Sequence, residues 1–259
     1  MSVLDRFRLD GDVAVVTGGN RGIGKALATA LAEAGATVVV ANRDEESGET
    51  AAADIESETG AATLAVPVDV TDEAQVAAMV ETVEAEFGSV DVLVNNAGIT
   101  INTPAEEMSL AEWQKVVDVN LTGAFLCAKH AGRSMIANDG GSIVNVSSVS
   151  AFVANHPQPQ AGYNASKAGV EGLKNQLASE WAKHGVRVNN INPGYIATDM
   201  VEEVLENDPT MAGEWRRRML QEEVAPPETL GPLAVFLASD AAAYVTGESV
   251  VVDGGYTVR

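Results

Sequence analysis

One stretch decides the fold: DVAVVTGGNRGIGKALATAL, at residues 12–31. Its first part is an almost continuous apolar run that ends in Gly18 and Gly19. From Ile23 to Leu31 the apolar residues recur at helical spacing. The pattern predicts a strand, a tight turn and a helix, which is the repeating unit of a parallel sheet.

The alternation of strands and helices continues along the chain. Further strands are predicted at residues 37–41, 63–68, 90–94, 142–146, 186–191 and 249–252, and further helices at residues 45–58, 73–87, 110–135, 163–183 and 230–237. Strands that are apolar on both faces and alternate with helices are typical of a parallel sheet covered on both sides. We predict an α/β fold, a single-domain Rossmann-type doubly wound parallel sheet of about seven strands over residues 1–259.

One segment interrupts this alternation. Residues 198–227 are acidic, contain methionines and carry three adjacent arginines, Arg216 to Arg218. Long insertions after the carboxyl end of a strand commonly cover ligand sites. We predict an irregular substrate lid at about residues 198–227, and the alternative is an ordinary surface excursion.

The composition is strongly acidic, with 37 Asp and Glu against 16 Lys and Arg and a formal net charge of −21. Nucleic acid and anionic membranes require a basic surface, so neither is expected as a partner. No apolar run approaches bilayer length, the N-terminus lacks the apolar region of a signal peptide, and the lone Cys127 fits a reducing compartment. We expect a cytoplasmic protein whose partner is a small molecule.

The net charge also affects how the stability of the protein depends on salt. Repulsion among unpaired carboxylates destabilises a compact chain at low ionic strength, and salt screens it. The composition therefore favours a halophilic protein adapted to a salty cytoplasm. A merely acidic mesophilic protein is the alternative.

The turn after the first strand has glycines at 18, 22 and 24. Glycines there allow a tight turn, a close approach of backbone to a pyrophosphate and close packing of helix on strand. The N-terminus of the following helix offers free N–H groups to phosphates. In this context the turn is a candidate dinucleotide site.

Tyr163 and Lys167 are four residues apart in a stretch of helical periodicity, so both side chains lie on one face of a helix. An ammonium beside a phenol lowers the pKa of the tyrosine toward the range of a general acid. On these residues alone, a surface Tyr/Lys pair of an amphipathic helix is the better interpretation, and the other motifs of the chain raise the odds of a catalytic pair.

Together the motifs resemble the short-chain dehydrogenase/reductase family. The motifs are Thr17-Gly18 with Gly22-Ile23-Gly24, Asn95-Asn96-Ala97-Gly98, Asn120, Ser148, Tyr163 with Lys167, and Pro193-Gly194, in the family's order over essentially the whole chain. The resemblance implies an NAD(P)-dependent enzyme that transfers hydride between a nicotinamide and a carbonyl or alcohol. It also implies a homotetramer.

The resemblance assigns four catalytic residues. Tyr163 would protonate the carbonyl oxygen, Ser148 would hydrogen-bond it, Lys167 would act on Tyr163 and on the nicotinamide ribose, and Asn120 would complete a proton relay through a water. Ser148 is assigned from its flanking sequence. Ser147 and Ser150 are the other candidates.

The cofactor residues implied by the resemblance, besides Tyr163 and Lys167, are Gly18, Asn20, Arg21, Gly22, Ile23, Gly24, Asn42, Arg43, Asp69, Val70, Asn96, Ala97, Gly98, Pro193, Gly194, Ile196 and Thr198. The second predicted strand leads into neutral Asn42 and then Arg43, where an NAD site places a carboxylate. A guanidinium without a competing carboxylate favours a 2′-phosphate, hence NADP (NADPH) over NAD. Asp69 could instead cap the next helix.

The loop at residues 154–160 lies beside the catalytic serine and resembles that of sorbose reductases and mannitol dehydrogenases. Ser150, His156, Gln158 and Gln160 are candidate substrate contacts, because polyhydroxylated substrates need buried donors and acceptors. A sugar, polyol or sugar acid is expected. For His156 a solvated loop position is an equal alternative, and three scattered histidines argue against a metal site.

Two other functions stay open. A 3-oxoacyl-thioester reductase shares the scaffold but favours a basic patch for its acidic carrier, and here the basic residues for one are few: Arg133 and Arg216 to Arg218. An NADP-sensing regulatory protein is the non-enzyme alternative, although such proteins commonly lose the catalytic tyrosine or lysine. Residues 222–228 depart from the family pattern at the base of the lid.

Overall fold

A computed structural model describes residues 2–221 and 223–258; the terminal residues Met1 and Arg259, and Glu222 of the predicted lid, lie outside that description. In the described chain seven strands form one parallel sheet in the order β3-β2-β1-β4-β5-β6-β7. The strands are β1 Val13–Thr17, β2 Thr37–Asn42, β3 Thr63–Pro67, β4 Val92–Asn95, β5 Gly141–Val146, β6 Val186–Pro193 and β7 Ser249–Val252. The predicted doubly wound sheet is confirmed, and the strand order reverses between β1 and β4, where ligands of such folds bind.

The helices are α1 Gly22–Glu33, α2 Glu45–Thr59, α3 Glu73–Phe87, α4 Leu110–Val117, α5 Gly123–Ala137, α6 Ala161–Trp181, α7 Asp199–Asn207, α8 Pro209–Arg218 and α9 Gly231–Ala238. Side-chain caps start several of them. Asp44 accepts a hydrogen bond from Ser47 N (2.9 Å) at the start of α2. Ser109 and Glu112 form a capping box at the start of α4.

The sheet is buried on both faces, which explains the continuous apolar strands. Val16 packs in one cluster with Leu27 of α1 and Leu237 of α9. Val15 packs in the other with Val83 of α3, and α5 and α6 also cover that face. Successive side chains of a strand point to opposite faces, so a strand between two helical layers is apolar at every position.

The structure differs in detail from two predictions of secondary structure. Residues 110–135 are helical as predicted, but a π-helical turn at Asp118–Thr122 separates α4 from α5. The irregular lid predicted at residues 198–227 contains helices α7 and α8, and Asp208 starts α8 by accepting from Met211 N (2.9 Å). Apolar residues of both helices pack against a buried cluster that contains Tyr195 and Tyr256. This packing stabilises the helices, as expected for short amphipathic segments.

Asp12, just before β1, makes the stability of the fold dependent on pH. Burial first, and then the charges of Asp91, Asp240 and Asp10, raise the pKa of its carboxyl to about 6. Because the folded pKa is above the unfolded one, the stabilisation from the protonated carboxyl is complete below about pH 4 and is lost as the pH rises through 6.

Asp12→Asn is therefore expected to raise the free energy of unfolding at pH 7.5 by about 1–2 kcal/mol, allowing for partial solvent screening. The gain should shrink steadily as the pH is lowered from 7.5 toward 4. Thermal denaturation across this range measures it, with Glu84→Gln on the exposed face of α3 as the matched control. A pH-independent gain, or none at pH 7.5, would contradict the expectation.

Candidate active site

Tyr163 and Lys167 lie together on α6, at the carboxyl end of the sheet. Lys167 Nζ is 5.6 Å from the centroid of the Tyr163 ring. The same ammonium donates a hydrogen bond to the carbonyl oxygen of Val146 (2.7 Å), the last residue of β5. The side chain of Lys167 is thus buried against the sheet and is not part of a surface pair.

The ionisation of Tyr163 differs from the sequence-based expectation. Burial raises the pKa of Tyr163, and a hydrogen bond with Ser148 only partly opposes this. Burial also lowers the pKa of Lys167 to about 8, against the charge of Glu171. The expectation that Lys167 depresses the tyrosine pKa is therefore corrected: desolvation of the phenol dominates. A neutral phenol at pH 7 retains the proton that a general acid donates.

Ser148, at the end of β5, is the serine that faces Tyr163. Its hydroxyl donates to Ser150 Oγ (3.0 Å) and accepts from Ser150 N (3.1 Å). The hydroxyl of Ser147 instead donates to the backbone oxygen of Lys167 (3.4 Å). Of the three candidates, Ser148 has the geometry to share a substrate oxygen with Tyr163.

Asn120 lies inside the π-helical turn and is buried. Its amide donates to Ile99 O (2.9 Å) and Ser166 Oγ (3.0 Å) and accepts from Ile99 N (2.8 Å). A Cβ atom built on Gly98 would lie 3.5 Å from Asn120 Oδ1 and 3.7 Å from Lys167 Nζ. Gly98 thus lies between Asn120 and Lys167. The π turn that carries Asn120 is a feature frequently found at functional sites.

The glycine turn has the geometry of a phosphate cradle. Gly18 and Gly22 have φ angles of +62° and +51°, which favour glycine. A Cβ on Gly24 would collide with the carbonyl oxygen of Gly18. The amide of Asn96 donates to Thr17 O (3.0 Å) and Gly18 O (3.1 Å), which fixes the turn to the segment after β4. Ala97 N donates to Thr17 Oγ1 (3.1 Å), so Ala97 is held in the same way.

The basic residues predicted for the cofactor are exposed. Among the described residues, the guanidinium groups of Arg21 and Arg43 make no hydrogen bond or ion pair. Asn42 is buried, and its amide donates to Asp44 O (2.6 Å). Two positive groups without partners beside a neutral buried amide can accept an added phosphate.

A surface cavity of about 340 Å³ lies in front of α2. Its lining includes Asn20, Lys25, Asp44 and Ser47, but neither Arg21 nor Arg43. Asp44 is exposed, and its carboxylate both caps α2 and lines this cavity. Asn20 Nδ2 donates to Ser47 Oγ (3.0 Å), so the glycine turn and α2 meet at the cavity.

The other predicted cofactor residues occupy strand ends. Asp69 accepts from Thr71 N (3.0 Å) and so forms a local turn, while Asp72, not Asp69, caps α3. Val70 packs where a Cβ on Gly123 would collide with it. Thr198 lies 3.4 Å from a Cβ built on Gly22, which puts the residue before α7 beside the glycine turn.

The segment after β6 joins α7 to the sheet. Pro193 ends β6, and a Cβ on Gly194 would meet Asp253 at 2.8 Å. Ile196 forms an isolated parallel bridge with Ala225. This bridge brings the segment before α7 next to the segment that follows α8.

Three of the four predicted substrate residues lie near Ser148. Gln160 Nε2 donates to Ser150 Oγ (3.4 Å), and Gln158 Oε1 accepts from the hydroxyl of Tyr195 (2.8 Å). His156 is exposed and makes no hydrogen bond within the described chain. The structure thus gathers the serine and the two glutamines but leaves the histidine on the surface.

Sequence analysis missed an aromatic wall beside these amides. Tyr195 stacks on Trp215 of α8 with ring centroids 4.1 Å apart, and Tyr256 meets Tyr195 edge-on at 5.4 Å. The indole nitrogen of Trp215 is buried without a hydrogen-bond partner in the described chain. Two signals were available: Tyr195 directly follows Pro193-Gly194, and Met211, Trp215 and Met219 recur at helical spacing.

Residues 2–221 and 223–258 contain neither a candidate metal site nor a candidate membrane-spanning helix. No group of three or more His, Cys, Asp or Glu side chains there could hold a metal ion. None of the helices formed by these residues has the length and apolar character needed to cross a membrane.

Comparison with known proteins agrees with this geometry. The family model described as Enoyl-(Acyl carrier protein) reductase matches residues 18–257. Galactitol 2-dehydrogenase of Rhizobium johnstonii is 44% identical over 264 residues, covering 99% of each chain. D-threitol dehydrogenase of Mycolicibacterium smegmatis is 41% identical over 260 residues, covering 100% of this chain and 98% of the relative.

A reductase of the thioester type is similar at the same level. The 3-oxoacyl-(acyl-carrier-protein) reductase of Synechocystis is 43% identical over 251 residues, covering 95% of this chain and 97% of the relative. Among solved structures, a gluconate 5-dehydrogenase of Burkholderia cenocepacia in complex with NADP and tartrate superposes with a TM-score of 0.94 at 38% identity, covering 100% of both chains. The chain belongs to the short-chain dehydrogenase/reductase family and is an NAD(P)-dependent oxidoreductase that acts on alcohol groups.

Proposed function

We propose that this protein reversibly reduces the carbonyl group of a sugar, polyol-derived ketose or sugar acid with NADPH. The observation that carries the proposal is the shared position of Tyr163, Ser148 and Lys167 at the carboxyl end of the sheet, beside the glycine turn. The relatives that act on galactitol and threitol support the substrate class. The proposed catalytic unit is the single domain of residues 1–259, with the lid at residues 198–227.

In the proposed reaction a bound nicotinamide supplies or accepts the hydride. The buried phenol of Tyr163 donates a proton to the carbonyl oxygen, and the hydroxyl of Ser148 hydrogen-bonds the same oxygen as charge develops on it. Lys167 holds positive charge beside the phenol. We propose that Asn120 completes the proton relay. Its amide holds the π turn against the segment at Gly98, and Gly98 lies between Asn120 and Lys167.

The cofactor site fits a dinucleotide. The glycine turn would receive the pyrophosphate at the N-terminus of α1, and any side chain at Gly24 would fill the cradle. We propose that the remaining predicted residues line the same groove: Asn20, Ile23, Asp69 and Val70 toward the adenosine, and Asn96, Ala97, Gly98, Pro193, Gly194, Ile196 and Thr198 toward the nicotinamide.

We further propose a preference for NADP over NAD. Arg43 and Arg21 are exposed and unpaired in the described chain, so they can pair with a 2′-phosphate without breaking another contact. Asp44 is the nearby carboxylate, and its oxygen already accepts from Ser47 N (2.9 Å) as the cap of α2. The solved relative in complex with NADP supports this preference.

Buried amides and hydroxyls favour a polyhydroxylated substrate over an acyl thioester. Several hydrogen-bond donors and acceptors lie beside Ser148, contributed by Ser150, Asn155, Gln158 and Gln160. The exposed His156 would contact only a long substrate, at the rim of the site. A site built to bind hydroxyl groups strongly rejects a ligand without them, because its polar groups would be left unpaired.

Initial rates of NADPH oxidation with ketoses, a ketogluconate and acetoacetyl-CoA would test the substrate class. We expect kcat/KM for the best ketose or keto-acid to exceed that for acetoacetyl-CoA by at least about tenfold. The reverse order would favour the 3-oxoacyl-thioester reductase, which the Synechocystis relative keeps as second candidate. Tight NADPH binding with no turnover on any substrate would favour the NADP-sensing regulator.

We propose that the protein is a cytoplasmic, halophilic homotetramer. With 37 acids and 16 basic residues, most carboxylates have no basic partner. The screening length is about 30 Å at 0.01 M salt and about 3 Å at 1 M, so salt removes most of the repulsion within and between subunits.

The melting temperature, the fraction of assembled protein and the activity are all expected to rise between 0.05 and 2 M KCl, owing to this screening. Differential scanning fluorimetry and sedimentation velocity measure the first two. A variant with Glu49→Gln and Glu56→Gln, both on the exposed face of α2, should melt higher at low salt and gain less from KCl. Identical melting and sedimentation at both salt concentrations would refute the proposal.

A further inference from the structure

A largely buried carboxylate, that of Glu171, lies behind the active site and takes no part in the proposed reaction. Glu171 follows Lys167 by one turn of α6 and has a side chain only 14% exposed. Its two oxygens accept hydrogen bonds from Asn192 Nδ2 (2.6 Å) and from Ser249 Oγ (2.5 Å). The carboxylate therefore ties α6 to β6 and β7.

Asn192 carries this connection to the catalytic serine. Its amide nitrogen donates both to Glu171 and to the backbone oxygen of Ser148 (3.1 Å). Asn192 is completely buried. Ser148 is the residue from which the 3-10 turn Val149–Ala151 begins. The position of Ser148 thus depends on an amide that Glu171 orients.

The carboxylate is also the ion-pair partner of a buried lysine, Lys174, and lies one helical turn from Lys167. Lys174 Nζ lies 3.6 Å from Glu171 Oε2 and donates to Ser249 Oγ (2.6 Å). Burial raises the pKa of Glu171, but its hydrogen bonds, first that of Asn192, outweigh burial and hold the pKa below its usual value. Glu171 is therefore ionised at neutral pH.

Lys167 has few charged neighbours among the residues that the structure describes. The titratable groups that act on its ammonium are Tyr163 and Glu171, both on α6. The other neighbours are neutral: the carbonyl of Val146 at the end of β5, Gly98 after β4 and Asn120 after α4. Without Glu171, the buried ammonium would face only neutral groups. A buried ammonium without a counter-charge loses its proton more readily.

We propose that Glu171 is a positioning residue of the active site, which fixes Ser148 through Asn192 and supplies the negative charge that the buried ammonium of Lys167 faces. The inference rests on the proposed function, because it assigns Lys167 and Ser148 their roles in turnover. It adds to that function a residue that contacts neither cofactor nor substrate.

Two substitutions separate the two effects. Glu171→Gln removes the negative charge, but its side-chain oxygen can still accept a hydrogen bond from Asn192. Because a buried ammonium without a counter-charge loses its proton more readily, the basic limb of the pH profile of kcat should move about one pH unit lower. Asn192→Ala removes the connection to Ser148, so kcat should fall about tenfold with the limb unmoved and the KM for NADPH unchanged. Hydrogen exchange of residues 149–151 should be faster in cofactor-free Asn192→Ala.

Lys174→Met is the matched control. It removes a buried charge next to Glu171 but leaves Asn192 and Lys167 in place, so its kcat should stay within about twofold of wild type and its basic limb should not move down. A wild-type limb in Glu171→Gln would overturn the role of the charge. Wild-type kcat and exchange in Asn192→Ala would overturn the positioning of Ser148.

The outcomes distinguish this inference from the proposed function. If the wild-type protein shows no turnover on any carbonyl, the proposed function fails, whereas the exchange measurement still tests the connection to Ser148. If the wild type turns over and both substituted proteins behave like it, only the role of Glu171 fails. Should Glu171→Gln not fold, Asn192→Ala decides the proposal by its rate and exchange.

Discussion

Replacing Tyr163 with phenylalanine is expected to lower kcat by at least about a hundredfold. The phenol is buried, and its raised pKa keeps it neutral at pH 7, so it is the proton donor available next to Ser148. Phenylalanine keeps the aromatic ring on α6 and removes only the hydroxyl group that would donate the proton. Stopped-flow or steady-state oxidation of NADPH with the best substrate measures the loss.

The substitution should leave the rest of the protein intact. Binding of NADPH, followed by its fluorescence, should change by less than about threefold, because Tyr163 is not needed for the phosphate contacts. Tyr244→Phe is a matched control, since Tyr244 is fully exposed and far along the sequence from the site residues. A Tyr163→Phe protein with a tenth of wild-type turnover or more would remove Tyr163 from the proposed role.

Arg43→Ala is expected to weaken NADP far more than NAD. Losing a guanidinium–phosphate pair costs on the order of 2 kcal/mol, which corresponds to about thirtyfold in the dissociation constant for NADP. NAD has no 2′-phosphate, so its constant should change by less than about threefold. Fluorescence titration with NADPH and NADH measures both constants directly.

Two controls sharpen this test. Arg43→Lys keeps a charge without the planar fork and should lose part of the NADP affinity. Arg133→Ala removes an exposed arginine of α5 and changes the net charge equally, so it should leave both constants unchanged. Equal losses of affinity for NADPH and NADH in Arg43→Ala would mean that Arg43 does not discriminate the cofactors.

The sheet could be predicted because its pattern is local. Each strand between two helical layers is apolar at every position, as Val13 to Val16 illustrate. Helices α7 and α8 were missed although Met211, Trp215 and Met219 recur at helical spacing, because both helices are short and their stability comes from packing on Tyr195 and Tyr256. The π turn at Asp118–Thr122 has no side-chain signature.

The candidate site divides in a similar way. Motif spacing was enough to bring Tyr163, Lys167 and Ser148 together. The direction of the Tyr163 pKa was predicted wrongly, because the desolvation that sets it comes from elements distant in sequence. The contact between Glu171 and Asn192 could not be predicted either. It joins α6 to the end of β6, and neither segment alone contains a sequence pattern that indicates it.

The central claim is hydride transfer to a carbonyl carbon, and isotope transfer tests it most directly. NADPH carrying deuterium on the transferred face of C4 would be oxidised with the best ketose, and the alcohol product analysed by mass spectrometry. The account predicts one deuterium on the former carbonyl carbon of the product, and none with Tyr163→Phe over the same time. Oxidation of the labelled NADPH without deuterium in the product alcohol would contradict the account.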